Sequence, residues 1–116
     1  MAMRCFLQAK IHRAKITFAD VDYVGSIAIC PKLLEAAGIL PNEQVDVYNI
    51  SNGNRLTTYA IKGNEGQIGL NGAAALKGQV GDRVIIASYI WLTTEEIAGY
   101  EPRVVIVDEQ NQMVDR

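Results

Sequence analysis

Apolar and polar positions alternate along most of this chain at a spacing close to two, the period of a half-buried β-strand. Residues 4–17 show it first: Cys5, Leu7, Ala9, Ile11, Ala14 and Ile16 are apolar, and Lys10, Arg13, Lys15 and Thr17 interleave with them. That predicts a long first strand. A second strand is expected from Tyr23 to Ile29, interrupted by Gly25-Ser26. Further strands are expected over Gln44 to Ile50, Arg55 to Ile61, Gln67 to Leu70, Asp82 to Leu92 and Val104 to Val107. Asp82 to Leu92 is the most apolar of these and should be central. Asn52-Gly53 predicts a two-residue hairpin turn, since both residue types tolerate positive φ. Asn71-Gly72 predicts a turn into the small-residue run Ala73-Ala74-Ala75.

Helix signals are few. Pro31 to Ala37 reads as a helix, with proline suited to its first turn and Gly38 to its stop. Thr93 to Ala98 reads as one helical turn opened by a capping box at Thr93 and Glu96. Many short strands with little helix predict a small barrel, because closing a sheet removes the exposed edges that invite aggregation.

Composition narrows the function classes. With 116 residues, 49% of them apolar, the chain fits one domain with one core. Domains of this size are often stabilised further by oligomerisation. A formal net charge of −2 argues against a duplex DNA binder, which usually shows a basic face. Cys5 and Cys30 match no metal or redox spacing, and His12 is the only histidine, so a histidine-rich metal site is not expected. No apolar run reaches the roughly 18 residues that span a membrane, and Met1-Ala-Met-Arg turns polar too quickly to open a signal peptide. The expectation is a cytoplasmic protein with reduced thiols.

Four segments carry candidate chemistry. Lys10 and His12 share one face of a strand, which reads either as a solvated cationic face or as a site for a carboxylate. Gly25-Ser26 inside a strand pattern reads either as a bulge or as a bond primed to cut itself, since glycine can present its carbonyl in backbone conformations closed to other residues. Arg55, Thr58 and Tyr59 sit on the returning strand of the hairpin. They are ordinary polar positions, or else a carboxylate clamp and a proton donor. Asn71-Gly72-Ala73-Ala74 permits close backbone approach to a ligand, or is only a turn into a short helix.

Taken together and in this order, these segments resemble the aspartate 1-decarboxylase family, which makes β-alanine for pantothenate. The resemblance is carried by Lys-Ile-His-Arg at 10–13, Tyr-Val-Gly-Ser at 23–26, Asn-Gly-Asn-Arg-Leu-Thr-Thr-Tyr at 52–59, Asn-Gly-Ala-Ala-Ala at 71–75 and Val-Gly-Asp-Arg-Val-Ile-Ile at 80–86. It covers essentially the whole chain.

The resemblance implies a mainly β fold, a six-stranded double-psi β-barrel with short helices, assembled as a homotetramer with active sites between subunits. It implies a precursor, residues 1–116, that cleaves between Gly25 and Ser26 into a β fragment, 1–25, and an α fragment, 26–116. Ser26 then becomes an N-terminal pyruvoyl group on which L-aspartate forms a Schiff base, with neither metal nor PLP required. By the same resemblance Thr58 assists self-processing and contacts substrate, and Tyr59 returns a proton to Cα. Lys10 and Arg55 bind the carboxylates, and His12 is a site position. Asn71, Gly72, Ala73 and Ala74 line the pocket, and Tyr23 neighbours the cleavage site. The resemblance also allows for an accessory maturation protein; neither nucleic acid nor membrane is an expected partner. Two positions depart from the family pattern. Cys30-Pro31 replaces a common acidic residue and so loses a good helix N-cap, worth about 1 kcal/mol. Tyr48 stands where a tryptophan is usual. Two other readings compete: a non-enzymatic barrel that binds protein or nucleic acid, and a decarboxylase of the same chemistry acting on glutamate.

Overall fold

The computed structural model describes residues 2–114. It is mainly β, with eight strands: β1 Met3–Lys15, β2 Phe18–Asp20, β3 Ser26–Ile29, β4 Gln44–Asn49, β5 Arg55–Lys62, β6 Ile68–Asn71, β7 Arg83–Thr93 and β8 Arg103–Ile106. Their order in the sheet is β2-β6-β3-β5-β4-β7-β1-β8. The count exceeds the expected six because β2 continues β1 after a break of two residues and the four-residue β8 is added beyond β1 at the end of the order.

The ladder is joined end to end by the chain itself. β1 runs through Ile16 and Thr17 straight into β2, at the far end of the order. The Thr17 backbone N–H donates to the Ile68 carbonyl at 2.7 Å, which brings the continuation of β1 against β6. The result is a small barrel. Three strand pairs, β1·β8, β2·β6 and β3·β5, are parallel, and the members of each are separated in the chain by other elements.

The core is filled by Ile11, Ile27, Ile29, Val45, Val47, Ile68, Leu70, Val84 and Ile86 from the strands and Leu33 from the helix that follows β3, all fully buried. Alternation along β1 is broken where the sequence hinted. Ala9 and Ile11 face inward, Arg13 takes φ 70 in a bulge, and the inward face resumes at Ala14 and Ile16. The extra residue at the bulge explains the 11-to-14 step in the apolar pattern. A second irregularity between Leu7 and Ala9 leaves Cys5 exposed.

The helices fall where expected. α1 spans Pro31–Ala37 and ends on Gly38 in the left-handed region; Cys30 at its N-cap makes no side-chain bond. α2 spans Thr94–Ile97, and the Glu96 carboxylate accepts from both the backbone N–H and the hydroxyl of Thr93, which holds its pKa below the usual range. The run after Asn71 forms a six-residue 3-10 helix, Gly72–Lys77. Among the described residues no helix is long and apolar enough to cross a membrane.

Two local expectations are corrected. The second strand does not begin at Tyr23. Residues 21–23 turn instead, with the Asp22 N–H donating to the Asp20 carboxylate, and pairing starts only at Ser26. The β4–β5 connection is not a two-residue turn. The last hairpin pair is Tyr48 with Arg55, and only Gly53 of the loop has positive φ. The longer loop is favoured because the buried Asn49 side chain accepts from the N–H groups of Ser51 and Asn52, drawing the chain into a wider bend.

Candidate functional site

The site is built where β3 begins. Ser26 is buried at the first position of β3, directly opposite Asn71 at the end of β6. Its hydroxyl lies 3.4 Å from the Val24 carbonyl, to which it donates, and it accepts from the Asn71 side-chain amide at 3.1 Å. The hydroxyl is thus turned back along its own chain toward the Gly25 peptide. The side-chain oxygen of Asn71, Oδ1, is buried with no hydrogen-bond partner among the described residues. An unpaired buried acceptor is costly, and its presence beside Ser26 marks this as a place where a donor is expected to arrive.

Backbone approach is unusually close here. Gly72 has φ 65, and a Cβ at that position would lie 2.6 Å from Gly25 Cα, 2.7 Å from Gly25 N and 2.8 Å from the Tyr23 carbonyl oxygen. Only glycine fits this position. The 3-10 helix that Gly72 opens therefore presses directly against the segment holding the Gly25–Ser26 bond.

Two clefts meet at this point. One, of about 370 Å³, is lined by Gly25, Leu56, Thr57, Thr58, Tyr59, Ala73, Ala74 and Lys77. The other, of about 260 Å³, is lined by Tyr23, Val24, Ser26, Tyr59, Ile61 and Asn71. Tyr59 belongs to both. Strand β5 thus supplies Thr58 and Tyr59, the 3-10 helix supplies two alanines, and the two clefts lie on either side of the Gly25–Ser26 bond.

The cationic candidates lie elsewhere on the same chain. In cross-strand rows, Lys10 of β1 stands opposite Ala87, then Asp46, then Thr57; His12 stands opposite Ile85, then Tyr48, then Arg55. Residues in one such row share a face, so Lys10, His12, Tyr48 and Arg55 all point to the outside of the barrel. Arg55 lies with its guanidinium 4.6 Å from the Tyr48 ring centre, a cation–π contact. It lines a third cleft, of about 390 Å³, with Asp46, Tyr48, Leu56 and Thr57. This cleft shares Leu56 and Thr57 with the first, so Arg55 is adjacent to the Ser26 region. Lys10 and His12 line none of the three clefts.

The outer face is itself organised. The Tyr48 and Tyr89 hydroxyls are 2.7 Å apart, Tyr48 also donates to Asp46, and Thr57 donates to the other Asp46 oxygen at 2.7 Å. Burial, then the bond to Tyr89, pushes the Tyr48 phenol well above its usual range. Burial lowers the His12 pKa, and the neighbouring Lys10 and Arg13 charges lower it further. His12 Nδ1 is buried with no hydrogen-bond partner among the described residues.

The structure therefore gathers Tyr23, Gly25, Ser26, Thr58, Tyr59, Asn71, Gly72, Ala73 and Ala74 at one place, puts Arg55 beside it, and sets Lys10 and His12 apart. Sequence motifs did not single out Lys77 of the cleft wall, nor Asp46 and Tyr89, which hold Tyr48. Asp46 could have been found by its place two residues before Tyr48 on an alternating strand. Tyr89 carries no such signal, because its pairing depends on the neighbouring strand.

The family model described as aspartate decarboxylase matches residues 1–114. An aspartate 1-decarboxylase of Acaryochloris marina is 54% identical over 114 residues, covering 97% of this chain and 87% of that protein. One from Bdellovibrio bacteriovorus is 52% identical over 110 residues, 95% of this chain and 89% of its own. One from Caulobacter vibrioides is 57% identical over 107 residues, 90% and 91% respectively.

Proposed function

Because this chain belongs to the aspartate decarboxylase family, whose reaction serves pantothenate synthesis, we propose that it converts L-aspartate to β-alanine and CO2 with a pyruvoyl group made from its own Ser26. The observation that carries this is the placement of the Ser26 hydroxyl. It is buried, held between the Val24 carbonyl and the Asn71 amide, beside Gly25, Thr58 and Tyr59.

That geometry supports self-processing. The Ser26 oxygen attacks the Gly25 carbonyl carbon, and the peptide nitrogen leaves as an amine, so the amide becomes an ester. The tetrahedral stage carries an oxyanion, for which the Thr58 hydroxyl in the cleft beside Gly25 is the donor. Loss of the proton on Ser26 Cα with departure of the Gly25 carboxylate leaves dehydroalanine. Water then displaces ammonia, and the new N-terminus is a ketone. Residues 1–25 and 26–116 remain as two fragments.

The surroundings of Ser26 fit such a group. A ketone carbonyl in place of the hydroxyl can still accept from the Asn71 amide, and the unpaired Asn71 Oδ1 is free to accept from a protonated amine. When present, the pyruvoyl group would supply a carbonyl for the substrate amine and an electron sink for the pair released as CO2 departs.

The remaining work falls to side chains. Arg55, its planar fork steadied on Tyr48, binds a substrate carboxylate bidentately. Tyr59, common to both clefts, returns a proton to Cα. The small side chains of Ala73 and Ala74 leave room for substrate. Lys10 and His12 reach a site only if a second copy brings its Ser26 clefts to their outer face. Their separation from Ser26 in one chain supports active sites between subunits, as in the homotetramer that the resemblance implies.

The test is product analysis. Purified protein given carboxyl-labelled aspartate or glutamate should release CO2 from aspartate and form β-alanine in equal amount. Preferential release from glutamate would transfer the reading to the longer substrate; no release from either would end it.

A further inference from the structure

The 3-10 helix Gly72–Lys77 poses a physical problem. Runs of this helix beyond three or four residues are uncommon, because their hydrogen-bond geometry is poor. This one has six residues, no side-chain bond at its N-cap, and an extended Gly78 at its C-cap where a left-handed closing residue would be usual. It is nonetheless the element that presses Gly72 against Gly25 and supplies Ala73 and Ala74 to the cleft wall.

Its far end is held from outside. Three asparagine side chains, one at the end of β4 and two in the loop that follows, converge on one backbone oxygen. Asn49, Asn52 and Asn54 each donate their amide to the Lys77 carbonyl, at 3.2, 3.1 and 3.2 Å. Terminal helix carbonyls have no partner within the helix, so this cluster does the work of a missing cap. The loop is itself braced. Asn49 also donates to the Asp82 carboxylate at 2.9 Å, and the Asn52 side-chain oxygen accepts from the Asn54 N–H at 2.8 Å. A six-residue 3-10 helix is about 12 Å long, so an anchor at Lys77 fixes the position of Gly72 at the other end.

We infer that Asn52 and Asn54 are positioning residues for chemistry at the Gly25–Ser26 bond, acting through the Lys77 carbonyl and the 3-10 helix. The inference rests on the self-processing reading above and adds a remote determinant to it. Neither side chain touches the reacting atoms. Their role is to keep the small-residue wall seated, so that Gly72 holds the Gly25 backbone where the Ser26 hydroxyl can reach it.

The experiment uses Asn52→Asp/Asn54→Asp in the full chain. Aspartate keeps the shape and the side-chain oxygen that the loop uses but removes the donated amide. The neutral pair Asn52→Ala/Asn54→Ala guards against an effect of added charge. Asn111→Ala serves as the stability control: Asn111 is buried and ties Lys15 and Gly66 together by side-chain bonds, away from the cleft.

Two quantities are read: the half-time of self-cleavage by intact mass, and deuterium uptake of residues 72–77. Both asparagine pairs are expected to lengthen the half-time at least tenfold and to speed uptake at 72–77. Asn111→Ala should lower the melting temperature at least as much while cutting at the wild-type rate. Unchanged uptake at 72–77, or a cutting rate that follows melting temperature across all variants, would overturn the inference. If the wild-type chain does not cut, the self-processing reading fails; the uptake measurement then still decides whether the asparagines hold the helix.

Discussion

Replacing Gly72 by alanine tests the closest approach in the molecule. Two costs are expected. The position has φ 65, and placing an L side chain in the left-handed region costs about 1–2 kcal/mol. The new Cβ would also meet Gly25 Cα at 2.6 Å and two further backbone atoms inside 3.0 Å. None of these is the end of a flexible side chain, so the backbone itself must move, at about 1–3 kcal/mol for overpacking. The sum is about 2–5 kcal/mol, a large share of the roughly 5–15 kcal/mol that holds a typical domain together. Gly53 isolates the first cost, because its φ is 79 and nothing lies within 4 Å of its would-be Cβ. Urea unfolding at fixed protein concentration, followed by circular dichroism, should therefore show a small loss for Gly53→Ala and at least twice that loss for Gly72→Ala. The same samples, read by intact mass, should show Gly53→Ala cut normally and Gly72→Ala cut slowly or not at all. Equal midpoints for the two variants, with equal cutting, would refute the claim that Gly72 sits against the scissile segment.

Two further outcomes are expected. Arg55→Lys keeps the charge but loses the fork and its stacking on Tyr48, so KM for aspartate should rise about tenfold or more, as for losing one charged hydrogen bond of ~1.5–3 kcal/mol, with little change in kcat; an unchanged KM would remove Arg55 from substrate binding. His12 has its folded pKa held below the ordinary 6.5 by burial and by Lys10 and Arg13, so the unfolded chain binds the extra proton first. Its contribution to stability is complete above pH 6.5 and declines as pH falls through the folded pKa, and His12→Gln should flatten that part of a melting-temperature profile between pH 7 and 5.

Much of the barrel could be read from alternation, because Val45, Val47, Val84 and Ile86 report an inward face that period two makes visible. The helix at Pro31–Ala37 and the turn at Thr94–Ile97 were legible from local capping chemistry, which needs no tertiary context. What misled was locally plausible and overruled from a distance. Asn52-Gly53 suggests a tight turn, yet Asn49 takes the loop's N–H groups and Lys77, 23 to 28 residues away, takes its amides. Tyr23 and Val24 look like strand, yet both are exposed, and the backbone of residues 23–25 lies against Gly72 instead of entering a ladder. The site was legible only as a set of motifs. Spacing could not tell that Ser26, Thr58, Tyr59 and Asn71 meet at one place while Lys10 and His12 lie apart from it, because β4 and β7 stand between β5 and β1 and that division is made by strand order.

The central claim is that this chain converts its own Ser26 into the group that does the chemistry. Intact mass under denaturing conditions tests it most directly, on the purified protein and on Ser26→Ala side by side. The account predicts two wild-type fragments divided after Gly25, the larger beginning with a pyruvoyl group and lacking the mass of the serine amine, and a single full-length Ser26→Ala chain. A wild-type chain that stays whole on prolonged warming, or one that breaks with an ordinary serine at its new N-terminus, would contradict it.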